Sequence, residues 1–226
     1  MNSETDLRER RNAKLLMVLA PVGMMIICAF VVAGLAPGLD AGHPMEYLVA
    51  TCVLWAIISL VLPILRLKEM VSLPAGLVAV IYGNMFFYVL CLCAGFYLNV
   101  SWCGDFGHVV SSIVVSSIVF VAICLIDAHS PAHVTMGSRV GVTIMLFMVA
   151  MSFGGIWEMM EGFTDAVTGS SYMVYGATDT MGDLSADFLG VTAVSIFAYM
   201  YLGKGTTDSI SSKVRFGKKA FAIDEE

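Results

Sequence analysis

Long apolar runs broken by short polar intervals set the rhythm of the chain. Six runs of 18 to 28 residues occur, at 14–35, 47–65, 71–98, 109–126, 140–157 and 184–202. A helix needs roughly 20 apolar residues to cross about 30 Å of hydrocarbon. The pattern therefore predicts an all-α fold, a polytopic bundle of six transmembrane helices. The third run exceeds the need, so tilt or a projecting end is expected. Pro74 suits the first turn of its helix, where a missing N–H costs little. Pro21 and Pro63 fall inside spans and mark expected kinks. The pairs Ser111-Ser112 and Ser116-Ser117 in the fourth run would let a neighbouring helix approach closely. With no long repeat and no linker, residues 1–226 read as one transmembrane domain, ending in a basic cytoplasmic tail at 203–226.

Composition agrees. The chain is 58% hydrophobic and 13% charged, against about 45–50% and 25% for soluble domains. The distribution of charge matters more than its sum of −6. With six spans, all 12 Lys and Arg residues fall on one side, and the intervals 36–46, 99–107 and 162–181 contain none. The positive-inside rule then places both termini in the cytoplasm and those three intervals outside. Removing any span breaks this segregation. Arg8, Arg10, Arg11 and Lys14 before the first run resemble a signal-peptide n-region. The run is long and no small-x-small cleavage site follows, so it reads as a retained helix. The expected location is the inner cell membrane, with membrane lipids as neighbours, no nucleic-acid partner and room for a protein partner. Of the six cysteines, five lie within apolar runs and Cys103 in a loop; they read as buried thiols rather than a disulfide framework. The 16 scattered methionines read as core. Asp127-x-His129-x₃-His133 reads as a polar turn, since Pro131 interrupts any shared helical face.

Candidate chemistry gathers on the outer side. Glu158, Glu161 and Asp165 are spaced i, i+3, i+7, and Asp179, Asp183 and Asp187 are spaced i, i+4, i+8. At about 100° per residue each trio shares one helical face. Short antiparallel connections bring neighbouring helices together, so the two acidic faces can oppose each other. An ionised acid at membrane depth costs about 2.5–3.5 kcal/mol, and the outer intervals offer no Lys or Arg to pair with it. A bound cation, protonation or a water-filled cleft each answers that imbalance. Asp40, Glu46 and Asp105 read as an acidic coat. Glu158, Glu161, Asp179 and Asp183 read as ligands for a hard divalent metal, Mg²⁺, Ca²⁺ or Mn²⁺. His108, at the start of the fourth run, would admit Zn²⁺. Trp102 and Trp157 suit an outer aromatic belt.

The same residues carry a family resemblance. Trp157-Glu158-x-x-Glu161, a Gly-containing interval, Asp179-Thr180-x-x-Asp183 and Gly190 resemble the C-terminal signature of the YjdF-like bacterial membrane proteins. There an E-x-x-E on one helix precedes a D-T-x-x-D opening the next. His108 is similar to a histidine that begins an earlier helix of that family. VanZ-like proteins carry a looser relative of the D-T-x-x-D feature. The resemblance runs from about Phe106 to Gly190 and leaves out Asp165 and Asp187. It departs at Ser111-Ser112, where the family tends toward Gln-Gly. It implies a multi-pass inner-membrane protein and names no reaction.

Three functions fit these observations. The first is an enzyme in which a divalent cation on Glu158, Glu161, Asp183 and His108 serves hydrolysis or transfer of a lipid or lipid-linked headgroup. Glu158 or Glu161 would be its general base. The second is a non-catalytic subunit or regulator that uses the acidic face to meet a cationic partner. The third is a cation- or proton-coupled transporter, whose mid-membrane polar groups would have to come from the serines of the fourth helix, Asn84 and Tyr82.

Overall fold

The computed structural model describes residues 3–68, 71–129, 138–169, 171, 173–174, 176–205, 207, 210 and 214–216. Among these the chain is helical: α1 (Ser3–Val32), α2 (Pro37–Asp40), α3 (Met45–Ser59), α4 (Val61–Leu67), α5 (Ala75–Cys93), α6 (Phe96–Asn99), α7 (Cys103–His129), α8 (Arg139–Thr168) and α9 (Ala177–Leu202). One antiparallel pair of two-residue strands, β1 (Val71–Ser72) and β2 (Arg215–Phe216), interrupts the helical pattern. Six stretches are long and apolar enough to cross a membrane: Arg11–Val32, Met45–Leu67, Ala75–Cys93, Cys103–Ala128, Arg139–Thr168 and Ala177–Leu202. His133 and most of the 203–226 tail lie outside the described residues.

The helices fall into two compact units, Met1–Cys103 with Ser212–Glu226, and Gly104–Ser211. In the first, α1 packs on α3 and α5. Met24, Leu48, Val78, Val89 and Leu92 fill its core. The second span is broken at Leu60, three residues before Pro63. Proline has no N–H to return to the carbonyl four residues earlier, that of Ser59. The buried hydroxyl of Tyr82 donates to that carbonyl at 2.9 Å. A side chain from the neighbouring helix thus satisfies the orphaned acceptor, as hydrocarbon surroundings demand. Pro21, by contrast, sits within an unbroken α1. The third apolar run, 71–98, is helical only over Ala75–Cys93. Gly95, at φ 73°, adopts the left-handed conformation that ends the helix before the one-turn α6.

In the second unit α8 and α9 form a long antiparallel hairpin that contributes Val142, Leu146, Val191 and Ala198 to a core shared with Phe120 and Cys124 of α7. Ser138 starts α8 by accepting from the backbone N–H groups of Val140 and Gly141 at 3.2 and 3.3 Å. Gly169, at φ 66°, stops it. Both helices outrun their apolar segments. α8 continues through Glu158, Glu161 and Asp165 to Thr168, and α9 begins at Ala177, ahead of Asp179 and Asp183. All six acids of the two trios are therefore helical.

Candidate metal centre

The site lies wholly within the second unit. His108 on α7, Glu158 and Glu161 on α8 and Asp183 on α9 each turn one donor atom inward, and these atoms lie within 4.8 Å of one another. Glu158 and Asp183 are buried. His108 Nε2 stands 3.6 Å from Asp183 Oδ1 and 4.0 Å from Glu158 Oε1. Glu158 Oε1 has no hydrogen-bond partner among the described residues. Glu161 is held from outside, Trp157 Nε1 donating to its Oε1 at 2.7 Å. That bond links positions i and i+4 of one helix, so Trp157 carries a role beyond an aromatic belt.

Asp187 supplies the support. Its Oδ1 lies 3.3 Å from His108 Nδ1 and accepts from Ser112 Oγ at 2.8 Å. It is 4% exposed, and these partners satisfy its buried oxygen. When Nδ1 holds the proton, it donates to Asp187, and the Nε2 lone pair faces Asp183 and Glu158. A carboxylate behind a histidine in this way is the arrangement that fixes metal-ligating imidazoles. Gly154 on α8 makes room, because a Cβ there would run into the Asp187 carboxylate. Gly190 does the same between α9 and α7, where a Cβ would stand 2.7 Å from the Val109 carbonyl oxygen.

The predicted residues divide. Glu158, Glu161, Asp183 and His108 converge. Asp179 occupies the first turn of α9, within electrostatic reach of Glu158 and Asp183 but outside the group of four. Asp165 does another job: its Oδ2 accepts from the backbone N–H groups of Met173 and Val174 at 3.1 and 2.8 Å, tying the turn back onto α8. Asp40, Glu46 and Asp105 are exposed. The supporting pair, Asp187 and Ser112, falls outside the predicted ligand set. Its signal was present in the spacing, since Ser112 follows His108, and Asp187 follows Asp183, by four residues.

One imidazole among several carboxylates, with no Lys or Arg side chain against them among the described residues, is a group that could hold a cation. The mixture of nitrogen and oxygen donors fits Zn²⁺ or Mn²⁺ better than the all-oxygen preference of Ca²⁺ or Mg²⁺. The chain matches a family model described as "Predicted membrane protein (DUF2238)" over residues 21–204. It belongs to that family. No curated protein and no solved structure matches it.

Proposed function

We propose that this member of a multi-pass membrane protein family binds a divalent metal ion through His108, Glu158, Glu161 and Asp183, and acts at the extracytoplasmic face on a lipid or lipid-linked headgroup by hydrolysis or headgroup transfer. The observation that carries the reading is the mutual approach of four donor atoms to within 4.8 Å, drawn from three helices. In this reading the E-x-x-E and the second aspartate of the D-T-x-x-D of the YjdF-like resemblance join His108 in the ligand set. The segregated Lys and Arg residues support an outward-facing site and cytoplasmic termini. A bound divalent ion would supply Lewis acidity or an activated water at neutral pH. The protein's own groups do the rest. Asp187 fixes the imidazole, so that Nε2 offers its lone pair to the site. Glu158, whose Oε1 has no hydrogen-bond partner among the described residues, would serve as general base through whichever carboxylate oxygen the ion leaves free. Trp157 restrains Glu161.

Metal analysis of the purified full-length protein tests this. One Zn²⁺ or Mn²⁺ per chain is expected, with loss in Glu161→Gln and Asp183→Asn. Absence of stoichiometric metal, with thermal stability of wild type unmoved by added Zn²⁺, Mn²⁺, Mg²⁺ or Ca²⁺, would overturn it.

A second reading has its own observation. The hydroxyls of Ser116 on α7 and of Thr192 and Ser195 on α9 are buried and have no hydrogen-bond partner among the described residues. They continue from Ser112 and Asp187 towards the middle of both helices. Such a polar track suits cation or proton passage. Flux into proteoliposomes, lost in both Asp183→Asn and Ser116→Ala, would favour transport over headgroup chemistry.

A further inference from the structure

Four cysteines of the first unit fall into two pairs near one end of α5. Cys52 of α3 and Cys93 of α5 meet with their sulfurs 3.7 Å apart. Cys91 lies within interaction range of Cys103, the first residue of α7. All four are buried, at 1%, 7%, 8% and 2% exposed respectively. All are free thiols in the structure. The Cys91-Leu92-Cys93 spacing explains how one helix serves both pairs. Residues two apart on a helix point about 200° apart, so each sulfur reaches a different neighbour.

Their position matters as much as their proximity. Cys93 closes α5 and Cys103 opens α7, so both mark the same end of the unit. Cys52 lies seven residues into α3, about 10 Å along its axis. The short loop carrying α2 packs over this end. A Cβ at Gly38 would stand 2.7 Å from the Leu92 carbonyl oxygen and 3.1 Å from that of Cys93. On the topology proposed from the charge distribution this is the extracytoplasmic end, the side on which disulfides persist.

We propose that Cys52–Cys93 and Cys91–Cys103 are two disulfide staples, formed by exchange with an extracytoplasmic disulfide-bearing oxidoreductase before the loop closes over them. In each pair, one thiolate attacks the donor's disulfide, forming a mixed disulfide and releasing one donor thiolate. The second cysteine thiolate then attacks the mixed disulfide and releases the other. The chain gains one S–S bond and gives up two protons, and the donor takes two electrons to become a dithiol. Bond formation needs the sulfurs to close to about 2.05 Å, which for Cys52 and Cys93 means closing from 3.7 Å. The first pair ties α3 to α5. The second ties α5 to the start of α7.

The test is a count of thiols. Full-length protein in native membranes is trapped with acid, denatured and labelled with a maleimide–polyethylene glycol, before and after reduction. Of the six cysteines, Cys28 and Cys124 should label directly, giving about two adducts, with all six labelled only after reduction. Cys103→Ser should release Cys91 alone and add one adduct, and Cys52→Ser should release Cys93 alone. Non-reducing peptide mapping should recover Cys52 joined to Cys93 and Cys91 joined to Cys103. Six adducts without reduction in wild-type protein would overturn the proposal, whatever the variants do. Recovery of other pairings would overturn it equally.

Discussion

His108 has two faces, and each asks for a different experiment. Nδ1 leans on Asp187 at 3.3 Å, and Nε2 looks across to Asp183 at 3.6 Å. Removing the leaning partner should spare the ligands yet loosen the histidine. Asp187→Asn is therefore expected to weaken Zn²⁺ binding by about 10–100-fold, read by isothermal titration, while His108→Ala should abolish it. Gly154→Ala should phenocopy Asp187→Asn, because the added methyl occupies the space of the Asp187 carboxylate. If Gly154→Ala binds metal as wild type does, Asp187 is not the support described. His43 makes a separate prediction in the other unit. It is buried, its Nε2 has no hydrogen-bond partner among the described residues, and burial lowers its pKa below the ordinary 6.5. A lowered pKa means the unfolded chain takes up the proton first. His43 thus contributes stability that is complete above pH 6.5 and is lost as pH falls through its folded pKa. Thermal unfolding of His43→Phe should show a shallower decline with acid than wild type.

At the scale of elements, the broken second span is the sharpest case. Tyr82→Phe leaves the Ser59 carbonyl without its 2.9 Å donor and should cost about 1–2 kcal/mol. Pro63→Ala restores an N–H four residues beyond that carbonyl, so the double variant should recover part of the loss. Equal losses in the single and double variants would detach the break from proline. Helix count and helix ends were unequally legible from sequence. The bilayer imposes about 20 apolar residues on any spanning helix, so the six spans stood out as apolar runs. Helix ends obey other rules. α8 runs eleven residues past the apolar segment that ends at Trp157, because Glu158 to Thr168 are held by helical bonding, by Asp165 and by the glycine stop at Gly169 rather than by hydrophobicity. The third run looked overlong because 94–98 is apolar too, yet the positive φ of Gly95 bends it out of α5. The i, i+3 and i, i+4 spacings of the acids were visible in the chain. Which of them converge was not, since that depends on Gly154 and Gly190 setting how closely three helices approach.

For the molecule as a whole, the division into two units separates two kinds of experiment. All four proposed metal ligands belong to Gly104–Ser211. Saturating Zn²⁺ should therefore slow amide hydrogen exchange in α7, α8 and α9, by a free energy near 2.7 kcal/mol at 100 times Kd. Exchange in α1, α3 and α5 should change little. Uniform protection across both units would place the ligand elsewhere. The topology follows from the same whole-chain view. Reporters fused within 36–46, 99–107 and 162–181 should register the extracytoplasmic side, and those at either terminus the cytoplasm.

The hairpin of α8 and α9 behaves as a ruler. One residue inserted into α9 between Asp179 and Asp183 would rotate Asp179 by about 100° and shift it by about 1.5 Å relative to the carboxylates downstream, parting the Asp179 side of the helix from the Asp183 side. An insertion between Asp183 and Asp187 would go further and separate the ligand from the group that steadies its histidine. Length in this stretch is thus as constrained as side-chain identity, and a relative with a gap there should not be expected to share the chemistry even if every acid is retained.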